Sequence, residues 1–172
     1  MKDIKVIDNF LNDQDFDRVR SMLSGPLFPW YYSSKVSGAE KDKEFQFCHM
    51  FYEKCQGRSD SLNLLNPILY LLKPTALVRI KANLLLQTST PITHDYHADF
   101  DWKHKWWSAI FYVNTNNGKT LFKNIDKEID SKANRMIIFD GRLEHTGTTC
   151  TDKKQRIVVN FNYFNKELDN DI

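Results

Sequence analysis

The spacing of apolar residues along this chain changes period at Pro74. Before it, apolar side chains recur every three to four residues in two stretches. Phe16, Val19, Met22 and Leu23 share one helical face. Asn12 stands ahead of them as an N-cap, and Asp13, Asp15 and Asp17 fill the opening turns, where a helix favours negative charge. Gly25-Pro26 ends that helix. Leu62, Leu65, Ile68 and Leu69 predict a second helix over about 61–72, stopped by Pro74. Residues 4–7 read as a short strand. After Pro74, segments near 76–88, 106–113, 135–139 and 155–164 are rich in β-branched and aromatic residues. Turn signals such as Thr115-Asn116-Asn117-Gly118 and Asp140-Gly141 separate them. No helix-length pattern intervenes, so a parallel βαβ sheet is disfavoured. A mainly antiparallel barrel or sandwich behind N-terminal packing helices is expected.

The strands carry polar residues on one face. In the last, Ile157, Val159, Phe161 and Tyr163 oppose Arg156, Val158, Asn160 and Asn162. In 76–88, Val78, Ile80, Ala82, Leu84 and Leu86 oppose Arg79, Lys81, Asn83, Leu85 and Gln87. A simple sandwich would give the polar face to water. A small barrel would turn it inward to line a polar pocket. Alternation alone leaves both open.

Composition narrows the class. At 172 residues the chain fits one domain with a real core. With 41% hydrophobic and 27% charged residues it reads as a soluble globular protein. No apolar run approaches membrane-spanning length, and residues 1–8 lack the features of a signal peptide. A net charge of +2 argues against extended nucleic acid as a partner. Three cysteines, Cys48, Cys55 and Cys150, form no CxxC, so free thiols in a reducing, cytoplasmic compartment are expected.

His97-Ala98-Asp99 sets an imidazole and a carboxylate two residues apart, hence on one side of an extended chain. Two ligands of a 2-His-1-carboxylate iron site are often presented in this way. The pair alone is weak, since 5 histidines and 22 acids produce such neighbours by chance. A third ligand must come from elsewhere. His145 follows a strong strand and the turn at Asp140-Gly141, and His94 is the next candidate. Arg156 lies in an otherwise apolar strand with no acid on its face. A guanidinium buried there needs either an Asp or Glu from another strand or the carboxylate of a ligand.

Taken together, HADFD (97–101), SAIFYVN with GKTLF (108–122), RMIIFDGRLEHTG (135–147) and QRIVVNFNYF (155–164) resemble the 2-oxoglutarate- and Fe(II)-dependent dioxygenases, nearest the prolyl-4-hydroxylase-like branch. The size is that of small stand-alone members encoded by phages. The resemblance covers 75–164 strongly and the N-terminal third loosely. It implies a double-stranded β-helix, a jelly-roll or cupin-like barrel, with 1–74 as support and 75–164 as the barrel of a single domain. It implies Fe(II) held by His97, Asp99 and His145, with 2-oxoglutarate and oxygen as cosubstrates. By the same resemblance Arg156 and the Tyr112 hydroxyl hold the distal carboxylate, and Asn160 and Asn83 line the pocket. The implied reaction couples oxidative decarboxylation of 2-oxoglutarate to hydroxylation of a C–H bond in a small-molecule or peptidyl substrate, prolyl by nearest likeness. Val158, Asn117-Gly118 and the absence of a Tyr on the strand before the site depart from the prolyl pattern. Trp102, Trp106 and Trp107 near the metal motif, and Trp30, Tyr31 and Tyr32, are read as packing residues first and substrate walls second. Two other readings stand beside this one. They are a barrel binding a carboxylate or sugar without redox chemistry, and a hydrolase or isomerase using the same ligands around zinc or manganese.

Overall fold

Two antiparallel sheets face one another, and the chain reaches them through strands from both of its halves. The computed structural model describes residues 4–36, 44–123, 125, 127–166 and 168. In chain order it contains β1 (Lys5–Ile7), α1 (Asp13–Ser24), β2 (Tyr31–Ser33), β3 (Gln46–Glu53) and β4 (Gln56–Gly57). A 3₁₀ helix (Asp60–Leu65) runs into α2 (Asn66–Leu72), followed by β5 (Ala76–Leu86), β6 (Trp107–Tyr112), β7 (Lys119–Phe122) and β8 (Glu128–Asp130). β9 (Arg135–Asp140), β10 (His145–Gly147) and β11 (Gln155–Phe164) complete the set. The large sheet has the order β1-β9-β6-β11-β5-β3-β2, with β4 beside β3. The small sheet has the order β10-β7-β8. Isolated antiparallel bridges Thr93↔Thr148 and His97↔His145 lay the segment before β6 along β10.

The two faces of the large sheet bury two separate cores. Outward, Ile157, Val159, Phe161 and Tyr163 of β11 join Ile80, Ala82 and Leu84 of β5 against Phe16, Val19, Leu23, Ile68 and Leu72 of the helices. Inward, Ile110, Tyr112, Ile137, Phe139 and Val158 meet Phe122, Ile129 and Leu143 from the facing side. The inner core fills only part of the space between the sheets. Polar members of the inner face occupy the rest, as the barrel alternative requires. The architecture is a double-stranded β-helix backed by helices.

The helices largely follow the sequence reading. The Asn12 side chain accepts the Asp15 amide at 3.0 Å, capping α1. The second helix is not continuous. Pro67 lacks an N–H and its ring crowds the carbonyl four residues back. The chain therefore turns as a 3₁₀ helix to Leu65 and starts α2 with Pro67 in its first turn. Tyr31 and Tyr32 pair with Cys48 and Phe47, so the aromatic segment extends the large sheet through β2 and β3. Among the described residues, no helix is long and apolar enough to cross a membrane.

Candidate metal centre and its pocket

His97 and His145 are brought together by backbone pairing. Each backbone N–H donates to the other's carbonyl, at 3.0 and 2.9 Å, and the rings sit 5.2 Å apart. The Nδ1 of His145 lies 3.0 Å from the Leu143 carbonyl oxygen, and that of His97 lies 3.2 Å from the Asp95 carbonyl oxygen. A carbonyl only accepts, so each Nδ1 carries a proton, and in the neutral ring Nε2 is the nitrogen with the lone pair. Burial lowers the pKa of His145, which favours the neutral imidazole that a metal needs. Asp99 completes the group. Ligand atoms of His97, Asp99 and His145 all lie within 4.8 Å of one another, the one such group among the described residues. Two imidazoles and a carboxylate are the donor set of a 2-His-1-carboxylate site, and they fit a divalent iron ion. His94 is not part of it.

Asp99 is held from two sides. Arg79 Nη2 donates to its Oδ1 at 2.6 Å. Asn162 Nδ2 donates to Oδ2 at 2.8 Å, and the Ser108 hydroxyl lies 3.4 Å from the same oxygen. Burial alone would raise the Asp99 pKa. The Arg79 charge, His145, the Asn162 bond and His97 outweigh it and hold the carboxyl at about 2. Arg79 was not singled out by the sequence, because its partners Asn162 and Asp99 are set by strand register and not by neighbourhood.

Below the triad lies an inner compartment lined by Arg156, Thr120, Gly147, Val158, Asn83 and Asn160, among others. Arg156 is only 4% exposed. Its Nε donates to Ser131 Oγ at 2.9 Å and its Nη2 to Thr120 Oγ1 at 3.1 Å. No acid pairs with it among the described residues. Two glycines make space for the side chain. A Cβ on Gly118 would fall 2.7 Å from Arg156 Cδ, and one on Gly147 would fall 3.2 Å from Nη1. Nη1 makes no hydrogen bond with a described residue and lies beside Gly147.

Tyr112 is buried beside this cradle, with the Arg156 guanidinium 5.8 Å from its ring centre. Its hydroxyl donates to Thr120 Oγ1 at 2.7 Å. Thr120 thus accepts from both Tyr112 and Arg156 and keeps its own proton to offer the pocket. The amide oxygens of Asn83 and Asn160 are buried with no hydrogen-bond partner among the described residues. Thr120, Ser131, Gly118 and Gly147 were assigned no role from sequence. The available signal was the period-2 alternation of Lys119–Phe122, which turns Thr120 and Phe122 inward together.

An outer compartment opens above the triad, lined by Lys35, Arg79, Lys81, His97, Asp99 and Asn160, among others. From the segment 28–36 it takes Ser33, Lys35 and Val36, not the aromatic residues. Trp102 stacks on Phe100 at 4.5 Å, while Trp106 and Trp107 are buried. None of the three lines either compartment. Cys48, Cys55 and Cys150 are free thiols outside the metal group.

No protein-family model matches this chain, and no curated protein does. Solved structures do. An oxidoreductase of the 2OG-Fe(II) oxygenase family from Burkholderia pseudomallei matches with TM-score 0.70 and 12% identity, over 94% of this chain and 84% of that one. A prolyl hydroxylase from Trichoplax adhaerens, in complex with a peptide fragment of the hypoxia inducible factor oxygen degradation domain, matches with TM-score 0.67 and 12% identity, over 95% and 84%. The epimerase SnoN, in complex with Fe3+, alpha ketoglutarate and nogalamycin RO, matches with TM-score 0.61 and 12% identity, over 95% and 79%. At such identities the likeness is one of fold, and the chain shares the double-stranded β-helix of the 2-oxoglutarate- and Fe(II)-dependent oxygenases.

Proposed function

We propose that this protein is an oxygenase that uses Fe(II), 2-oxoglutarate and oxygen to hydroxylate a C–H bond of a small-molecule or peptidyl substrate. The observation that carries the reading is the convergence of His97, Asp99 and His145 within 4.8 Å, above a buried Arg156 that has no acid partner among the described residues. When bound, iron and 2-oxoglutarate supply the chemistry in which one oxygen atom converts a C–H bond to C–OH and the other enters succinate, with release of carbon dioxide. His97 and His145 offer Nε2 because their Nδ1 protons are committed to carbonyls. Arg79, Asn162 and Ser108 hold the Asp99 carboxylate ionised and oriented. Arg156 offers Nη1 to the distal carboxylate of the cosubstrate, with the Thr120 hydroxyl beside it and Tyr112 fixing Thr120. Asn83 and Asn160 present amides to the same ligand. A metal-dependent hydrolase or isomerase would use the triad but has no need of this carboxylate cradle. The free thiols accord with a reducing, cytoplasmic setting.

The test is succinate formation by the iron-loaded protein supplied with 2-oxoglutarate. Production that requires both oxygen and His145 supports the proposal. Succinate no higher than that of a His145→Ala variant would reject it.

A further inference from the structure

The two compartments divide the cations of the site between them. Arg156 lines the inner one and is absent from the outer. Lys81 lines the outer one and is absent from the inner. His97, Asn83 and Asn160 border both, so the triad sits at the junction. Strand register gives the separation. On β11, Arg156 pairs with Leu85 and Asn160 pairs with Lys81, four residues along the strands, which is about 13 Å between backbone positions. A five-carbon dicarboxylate seated on Arg156 and reaching the triad fills the inner compartment and leaves the outer one free.

The outer compartment is cationic. Lys35, Arg79 and Lys81 line it, and Asp99 is the one acid among its described lining residues. Asp99 is already matched by Arg79. The Lys81 ammonium makes no hydrogen bond or ion pair with a described residue. Burial lowers its pKa, and Cys48, Arg79, Asp99 and Glu53 act on it only through space. A half-buried ammonium that lines an open pocket with no protein hydrogen bond is placed to receive an anionic ligand group. Lys35 is positioned by its own carbonyl, which accepts from Gln46 Nε2 at 3.1 Å and from the Ser33 hydroxyl at 2.8 Å.

We propose that the outer compartment receives an anionic group of the primary substrate, a carboxylate or a phosphate, with Lys81 as its main receptor and Lys35 beside it. This rests on the oxygenase reading and deepens it. A neutral prolyl side chain would leave Lys81 unpaired, whereas an acidic substrate would pair it and hold a neighbouring C–H bond beside the triad.

The experiment is anaerobic isothermal titration of iron- and 2-oxoglutarate-loaded protein with L-glutamate, L-glutamine, O-phospho-L-serine and L-serine. At least one acid should bind ten or more times tighter than its neutral counterpart, and the pair that shows the gain names the anion. Lys81→Met should weaken that binding at least tenfold, about 1.4 kcal/mol, and Lys81→Arg should retain most of it. Methionine matches the lysine stem and removes a charge that no described side chain pairs, so the variant should melt no lower than the parent. Affinity for 2-oxoglutarate should not change in either variant. Equal binding of acids and neutral counterparts, or no binding of either acid, would overturn the proposal. So would weakened 2-oxoglutarate binding in Lys81→Met, which would assign Lys81 to the cosubstrate. Protein that binds no 2-oxoglutarate even with iron would refute the oxygenase reading itself, and acid binding by the metal-free protein would then still report on the pocket.

Discussion

Replacing Arg156 by lysine keeps a charge at the base of the inner compartment and removes the fork. The guanidinium spends Nε on Ser131 and Nη2 on Thr120, leaving Nη1 beside Gly147 for a ligand. An ammonium cannot hold both hydroxyls and a carboxylate from the same position. A charge-assisted hydrogen bond contributes about 1.5–3 kcal/mol net. Losing most of one such bond weakens 2-oxoglutarate binding by about 10- to 100-fold, at roughly 1.4 kcal/mol per tenfold. Iron affinity should hold within about twofold, because the triad is untouched. Ser131 or Thr120 loses a donor at about 1 kcal/mol, which lowers the melting temperature by about 2–4 °C for a chain of this size. Anaerobic titration with 2-oxoglutarate at fixed iron, beside a thermal melt, measures both effects on one variant. An unchanged dissociation constant with a large fall in melting temperature would refute the anchor and make Arg156 a structural residue.

Gly147→Ala places a methyl 3.2 Å from Arg156 Nη1. It should weaken 2-oxoglutarate several-fold while iron binding stays intact, which equilibrium titration of each ligand checks. Arg79→Met strands the ionised Asp99. The metal-free protein should lose on the order of 3–5 kcal/mol, and added divalent metal should raise its melting temperature more than it raises the parent's. Asp8 receives hydrogen bonds from Arg135 and Lys132, which hold its pKa well below the usual carboxylate range. Its contribution is therefore complete above the unfolded value, about pH 4, and is lost as pH falls through the lower folded value. The melting gap between the parent and Asp8→Asn should be constant from pH 7 to about 5 and close in stronger acid.

Much of this site could be read along the chain because its main residues sit on strands with clear alternation. His97 and Asp99 share a side of an extended segment, and Arg156 interrupts an apolar strand, so residue type and period marked them as candidates, while their roles came from the resemblance of the whole motif set. What pairs across strands was not legible. Arg79 bonds Asn162, 83 positions away, through register that no local pattern encodes. Thr120 and Gly147 are opposite one another on β7 and β10, and both reach Arg156 only because the small sheet faces the large one. Tyr112 lies at the cradle, but its hydroxyl is spent on Thr120, a partner fixed by the same facing of the sheets. Local chemistry misled once in the fold, where the apolar period of 61–72 continued through Pro67 and the backbone could not. Alternation also could not say which face of β11 met the helices. The outer face won because α1 and α2 bury it, leaving Arg156 and Asn160 to the interior.

The central claim is that His97, Asp99 and His145 hold one iron ion next to a site for 2-oxoglutarate. Anaerobic titration of the purified protein with Fe(II), followed by 2-oxoglutarate, tests it most directly. A visible charge-transfer band should appear only when both are present, saturate at one iron and one 2-oxoglutarate per chain, and vanish in His145→Ala. Tight iron binding with no band on adding 2-oxoglutarate, or a band that survives in His145→Ala, would contradict it.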